Sequence, residues 1–107
     1  NYYQSYIPDD YVLQFARSVA RNSEAEYVNA RDEILRIGVY STMATVINTE
    51  KAKITHTTLH GAAAIILEQP FSEVDIIWAN GDRYFIISSD DYETTLAVAE
   101  SVGVIQK

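Results

Sequence analysis

The chain has no cysteine, and only four glycines and two prolines occur among its 107 residues. The absence of cysteine excludes a disulfide framework, a thiolate metal site and a cysteine nucleophile. It also favours a reducing compartment, and we therefore predict a cytoplasmic location. No apolar run approaches the roughly 18–20 residues of a membrane-spanning helix, so no membrane partner is expected. With 48% hydrophobic residues, residues 1–107 are predicted to form a single folded domain.

Glycine-rich motifs and basic patches are missing as well. The glycines lie far apart, at positions 38, 61, 81 and 103, which excludes a phosphate-binding loop. Lysine and arginine number 8 against 15 aspartates and glutamates, a net charge of −7, of which −5 falls within residues 73–107. This balance argues against direct nucleic-acid binding, but it permits a protein partner with a basic surface.

The clearest structural signal is Asn80-Gly81-Asp82, which separates two apolar runs and predicts a β-hairpin over residues 74–79 and 83–88. A turn at Asn80-Gly81 sets Ile76 opposite Phe85, and a turn at Gly81-Asp82 keeps the same two faces. The core-like face would carry Val74, Ile76, Trp78, Phe85 and Ile87. The second face would carry Asp75, Ile77, Ala79, Asp82, Tyr84, Ile86 and Ser88, and it is too apolar for full exposure.

A helix is predicted to follow this hairpin and to end at Gly103, with Asp90 and Glu93 as its acidic cap. Its buried stripe would be Tyr92, Leu96, Ala99 and Val102. Val104 and Ile105 would add a final edge strand.

The first two thirds of the chain read as more helical. Helical spacing of apolar residues predicts a first helix from about Asp9 to Asn22. A capping box of Ser23 and Glu26 opens a second helix that ends at Gly38. Residues 39–47 and 52–57 are predicted as a hairpin, with a helical continuation through Gly38 as the alternative. A short helix over residues 57–67 would follow.

These elements predict an α+β fold. It would be a two-layer domain in the order ααββαββα, with an antiparallel sheet of about four strands and the helices mainly on one face. This layout resembles that of roadblock-type regulatory domains, which dimerise through their sheets and helices. Residues 1–8, with Tyr2, Tyr3 and Tyr6, are predicted to form a tyrosine-rich arm that packs on the domain or on a partner.

Two features of the sequence could support metal-dependent chemistry. His56 and His60 are the only histidines, and at this spacing on one helix they could share a metal ion. The glutamate of the zincin motif does not follow His56, however, and the predicted strand boundary would separate the two rings. The segment Ser88-Ser89-Asp90-Asp91 before a helix resembles the late strand–loop–helix of PIN and NYN nucleases. The chain lacks the early strand ending in aspartate that those families have, so no catalytic role is assigned.

We therefore predict a non-enzymatic protein-interaction or regulatory module that self-associates and uses no cofactor. The first alternative is an acidic inhibitor that blocks a basic groove, as a nucleic-acid mimic or phage anti-defence protein does. The second alternative is a metal-dependent hydrolase. The predicted partner-binding residues are Asp75, Asp82, Tyr84, Asp90, Asp91, Glu93, Tyr2, Tyr3 and Tyr6.

Overall fold

A computed structural model describes residues 2–4, 6–19, 22–41, 51–70 and 73–105. These residues form nine strands and one helix. The strands are β1 (Tyr2–Gln4), β2 (Val12–Val19), β3 (Asn22–Val28), β4 (Ile34–Tyr40), β5 (Lys53–Leu59), β6 (Ala62–Glu68), β7 (Val74–Asn80), β8 (Arg83–Ser89) and β9 (Gly103–Ile105). Helix α1 (Tyr92–Ser101) lies between β8 and β9.

The main layer is a seven-stranded sheet in the order β2-β3-β4-β8-β7-β6-β5. Every neighbouring pair in it is antiparallel. The sheet therefore consists of two meanders, β2 to β4 and β5 to β8, that join where β4 pairs with β8. Strands β1 and β9 form a separate antiparallel pair. The predicted α+β order with about four strands is wrong, and the likeness to the roadblock layout is wrong with it.

The two helices predicted over residues 9–38 are strands β2, β3 and β4. Their apolar residues fit a period of two once the turn between β3 and β4 is recognised, as in Leu35, Ile37 and Val39. Asn29 organises that turn: its side-chain oxygen accepts hydrogen bonds from the backbone N–H of Arg31 and of Glu33, both at 3.0 Å. Asp32 adopts a left-handed φ of 60°, which no helix through this segment would permit.

Strands β5 and β6 replace the short helix predicted over residues 57–67. Their turn is His60-Gly61, where both residues have positive φ (52° and 78°) as a tight hairpin turn requires. The predicted returning strand at residues 52–57 exists as β5, but it pairs with β6. Val39 and Tyr40 belong to β4, so helical continuation through Gly38 is wrong. Residues 42–50 lie outside the described part of the chain.

The C-terminal third agrees best with the sequence. The hairpin of β7 and β8 is confirmed, with its turn at Gly81-Asp82, so that Ile76 lies opposite Ile87 and Trp78 opposite Phe85. The final strand is confirmed as β9. The predicted helix is present as α1, but its cap is Asp91 and not Asp90: the Asp91 carboxylate accepts from the backbone N–H of Thr94 at 2.8 Å.

The core lies between helix α1 and one face of the sheet. Its buried residues include Leu35, Val39, Ile66, Ile76, Trp78, Phe85, Ile87, Val98 and Ala99. The rings of Trp78 and Phe85 stack with their centroids 5.0 Å apart. Thr95 and Val98 are fully buried, whereas Tyr92, predicted in the buried stripe, is 38% exposed. Within the described residues, no helix is long and apolar enough to cross a membrane.

Phe85 and Phe15 offer a matched pair for testing this core. Phe85 is 1% exposed and Phe15 is 45% exposed. We expect Phe85→Ala to lower the free energy of unfolding by about 3–5 kcal/mol, because it removes a buried aromatic ring. Phe15→Ala should cost less than about 1 kcal/mol, as substitutions at exposed positions usually do. Urea unfolding followed by circular dichroism measures both, and equal losses would contradict the assigned core.

Candidate functional site

The acidic residues predicted to bind a partner do not form one ridge. Asp82 lies in the turn before β8, whereas Asp90, Asp91 and Glu93 lie beyond its other end. The eight residue steps from Asp82 to Asp90 span roughly 26 Å of extended chain. The inhibitor hypothesis required a continuous acidic ridge, and this arrangement gives it little support.

Asp91 stabilises the start of helix α1. Its carboxylate accepts hydrogen bonds from the side-chain hydroxyl of Thr94 at 2.7 Å and from the Thr94 backbone N–H at 2.8 Å. These two bonds hold the pKa of Asp91 below its ordinary value. Behind them, the Ser89 and Thr95 hydroxyls form a buried hydrogen bond of 2.5 Å. The cluster therefore fixes the start of α1 against the end of β8.

The histidines lie apart. His56 is an exposed residue of β5 opposite Ile65. His60 lies in the β5–β6 turn, where its Nε2 is 2.9 Å from the carbonyl oxygen of Ala99 and its ring packs beside Trp78. Among the described residues, no three His, Asp or Glu side chains are grouped so that they could hold a metal ion. The hydrolase alternative gains no support from this part of the chain.

The tyrosine-rich segment contacts the C-terminal part of the domain. Tyr2 and Tyr3 belong to β1 and lie opposite Ile105 and Val104 of β9. The backbone N–H of Tyr6 donates to the Ser101 hydroxyl at 2.7 Å, and its side chain is 53% exposed. The segment thus runs beside the C-terminal end of α1.

The face of the sheet opposite α1, called the open face here, contains a groove of about 470 Å³. Gly38 of β4 and Ile86 and Ser88 of β8 form its centre. Phe15 lies on the β2 side, and Glu73 and Asp75 lie on the β7 side. Sequence analysis assigned Asp75 and Tyr84 to this second hairpin face. It did not bring β2, β3 and β4 to the same face, because it predicted helices there.

Two cross-strand ion pairs lie along the open face. Arg17 of β2 contacts Glu24 of β3 at 2.9 Å, and Arg36 of β4 contacts Glu26 of β3 at 2.9 Å. Each pair joins residues directly opposite each other in the sheet register. Such exposed pairs contribute little to stability, but they neutralise Glu24 and Glu26 locally.

Glu73 and Asp75 form a second kind of pair. Asp75 is only 7% exposed; its carboxylate accepts from the Gln69 side-chain amide at 3.3 Å. Burial, together with the charge of Asp75 and a hydrogen bond to it, raises the pKa of Glu73. Two carboxyl groups this close disfavour simultaneous ionisation.

Tyr40 closes one end of the groove. Its ring lies over Gly38, so closely that a Cβ at position 38 would overlap the ring and its hydroxyl. Burial, then the charge of Glu24 and a hydrogen bond to it, raise the pKa of Tyr40. Gly38 was predicted as a helix stop, and its actual role is to leave room for this ring.

Strand β2 is the second notable surface. All eight of its residues are exposed, since α1 packs on β7 and β8 and does not reach this edge. Among the described residues β2 pairs on one side only, with β3. Because a helix was predicted over these residues, the edge strand was not recognised, although Val12, Phe15 and Val19 are typical of strands.

Comparison with protein-family models, with curated proteins and with solved structures gave no match.

The cap at Asp91 generates a prediction with a defined pH dependence. We expect Asp91→Ala to lower the free energy of unfolding by about 1 kcal/mol at neutral pH. The depressed pKa of Asp91 means that this stabilisation is present above the unfolded-state pKa and is lost as the pH falls through the folded-state pKa. The difference from wild type should therefore narrow in acid. Asp90→Ala, at the exposed neighbour, is the control in urea unfolding, and an equal loss there would contradict the cap.

The pair of Glu73 and Asp75 predicts a contribution to stability with the opposite pH dependence. Because the pKa of Glu73 is raised, its contribution to stability is present in acid, below the unfolded-state pKa, and is lost as the pH rises through the folded-state value. Glu73→Gln should therefore raise the urea midpoint at neutral pH, and the gain should disappear in mild acid. Asp9→Asn, at an exposed position in the turn before β2, should change neither. A gain that is independent of pH would contradict the interpretation.

Proposed function

We propose that the chain is a non-enzymatic interaction module that self-associates by pairing β2 with β2 of a second copy. The exposure of β2 is the observation that carries the proposal. Its large apolar residues Val12, Leu13, Phe15 and Val19 are 45–66% exposed. An edge strand with free backbone groups and apolar side chains is a template for pairing with another strand.

Charge opposes a second copy less at this edge than elsewhere, because the Arg17 guanidinium is paired with Glu24 of the same chain. The net charge of −7 makes two copies repel each other over most of their surfaces. Strand β2 contains no acidic residue and one basic residue, Arg17. An antiparallel pairing of β2 with itself follows a two-fold axis, the commonest symmetry of protein dimers.

The regular part of β2 is the part suited to pairing. A bulge interrupts its register with β3 between Leu13 and Phe15, whereas residues 15–19 pair without interruption. Bulges are one of the devices that keep edge strands from associating. We therefore place the contact on residues 15–19. The cytoplasmic location remains a prediction from composition.

Val19→Lys tests the self-association. Position 19 lies two residues from Arg17, on the same face of β2, so the lysine would place two positive charges of each copy against those of its partner. We expect wild type to form a concentration-dependent dimer in light scattering coupled to size exclusion. The variant should weaken that dimer by about tenfold or more, a cost of about 1.4 kcal/mol.

Ile54→Lys is the matched control. Ile54 is 48% exposed on β5, at the opposite edge of the sheet, and the substitution changes the net charge by the same amount. It should leave the dimer intact. A monomeric wild type would refute the proposal, and a dimer disrupted equally by both variants would move the interface away from β2.

A further inference from the structure

The groove on the open face has an acidic lining that the β2 contact does not use. Its charged residues are Glu24, Glu26, Glu73 and Asp75 against one cation, Arg36. We propose that this groove binds an extended basic segment of a partner protein, with arginine or lysine side chains directed at Glu73 and Asp75. The proposal goes beyond self-association, because it concerns the face of the sheet rather than its edge.

The four carboxylates are not equivalent. Glu24 and Glu26 each contact an arginine of the chain itself. Glu73 and Asp75 bond to each other and to Gln69, and none of the lysines and arginines in the described residues forms an ion pair with either. The charge of Arg36 offsets only part of the burial and repulsion that raise the pKa of Glu73, so the carboxyl pair retains an electrostatic cost. A cationic side chain from a ligand would relieve that cost and provide charge-assisted hydrogen bonds.

The rest of the lining suits the stems of long basic side chains. Phe15 and Tyr40 present aromatic rings and Ile86 an apolar surface to the groove. The methylene groups of lysine and arginine pack on such surfaces while their charged ends reach polar partners, and aromatic faces attract cations. The volume of about 470 Å³ exceeds one guanidinium group. A peptide can direct several separate side chains into this volume, whereas a free polyamine offers a single linear chain.

A fluorescein-labelled peptide of alternating arginine and alanine is a suitable probe. We expect wild type to bind it in fluorescence anisotropy, and to bind a peptide of alternating glutamate and alanine much more weakly. The double variant Glu73→Gln with Asp75→Asn keeps the side-chain shapes and removes both charges. It should weaken binding of the arginine peptide by about tenfold or more, since truncating a desolvated charge pair costs at least that much.

Glu93→Gln with Glu100→Gln is the charge-matched control, because both residues are exposed on α1 on the other side of the sheet. It should weaken binding by less than about twofold at moderate salt. Equal weakening by the two double variants would show attraction to net charge alone and would overturn the proposal. Absence of binding to wild type would overturn it, and so would spermine displacing the peptide at an equal concentration of amino groups. The Val19→Lys variant should bind the peptide normally, so failure of the dimer and failure of the groove are distinguishable.

Discussion

One short helix covers one face of a wide sheet, and this mismatch determines most of the structure. Helix α1 has ten residues, so it is about 15 Å long and about 10 Å wide. Seven strands at the usual spacing extend over roughly 29 Å. Helix α1 packs on the central strands β7 and β8, where Trp78 and Phe85 stack. The buried core extends from there to Leu35 and Val39 of β4 and to Ile66 of β6, whereas all residues of the outer strand β2 are exposed among the described residues.

On the open face, charged side chains pair with one another across the strands. No described element forms a second layer here, and glutamates of β3 pair with arginines of β2 and β4 across the strands. Polar ladders of this kind keep an uncovered sheet hydrated, as alternation in antiparallel sheets commonly does. Glu73 and Asp75 depart from the pattern because they meet each other. Carboxyl groups with a perturbed pKa are enriched at functional sites.

The elements that were predicted correctly are those whose sequence signals lie in adjacent residues. The hairpin of β7 and β8 and the helix after it depend on adjacent residues, and both elements were predicted, although the turn lies at Gly81-Asp82 rather than Asn80-Gly81 and the cap is Asp91 rather than Asp90. The groove needed β3 and β4 beside β8, a pairing of residues far apart in the chain. The helices were predicted wrongly because two turns were not recognised, Asn29 to Glu33 and His60-Gly61. Neither has the usual Asn-Gly signature, and without them the apolar spacing fits a helix equally well.

The contact between Tyr40 and Gly38 couples two positions of one strand. Gly38 has no unusual φ that demands glycine; a Cβ there would overlap the end of the Tyr40 side chain two residues later, so that ring would have to move. The overlap can also be removed by a change at position 40. Alanine at 38 meets no such overlap once residue 40 is small. In a lineage of such chains, these two positions would vary together, and a pairwise signal between 38 and 40 would mark the end of the groove without any ligand bound.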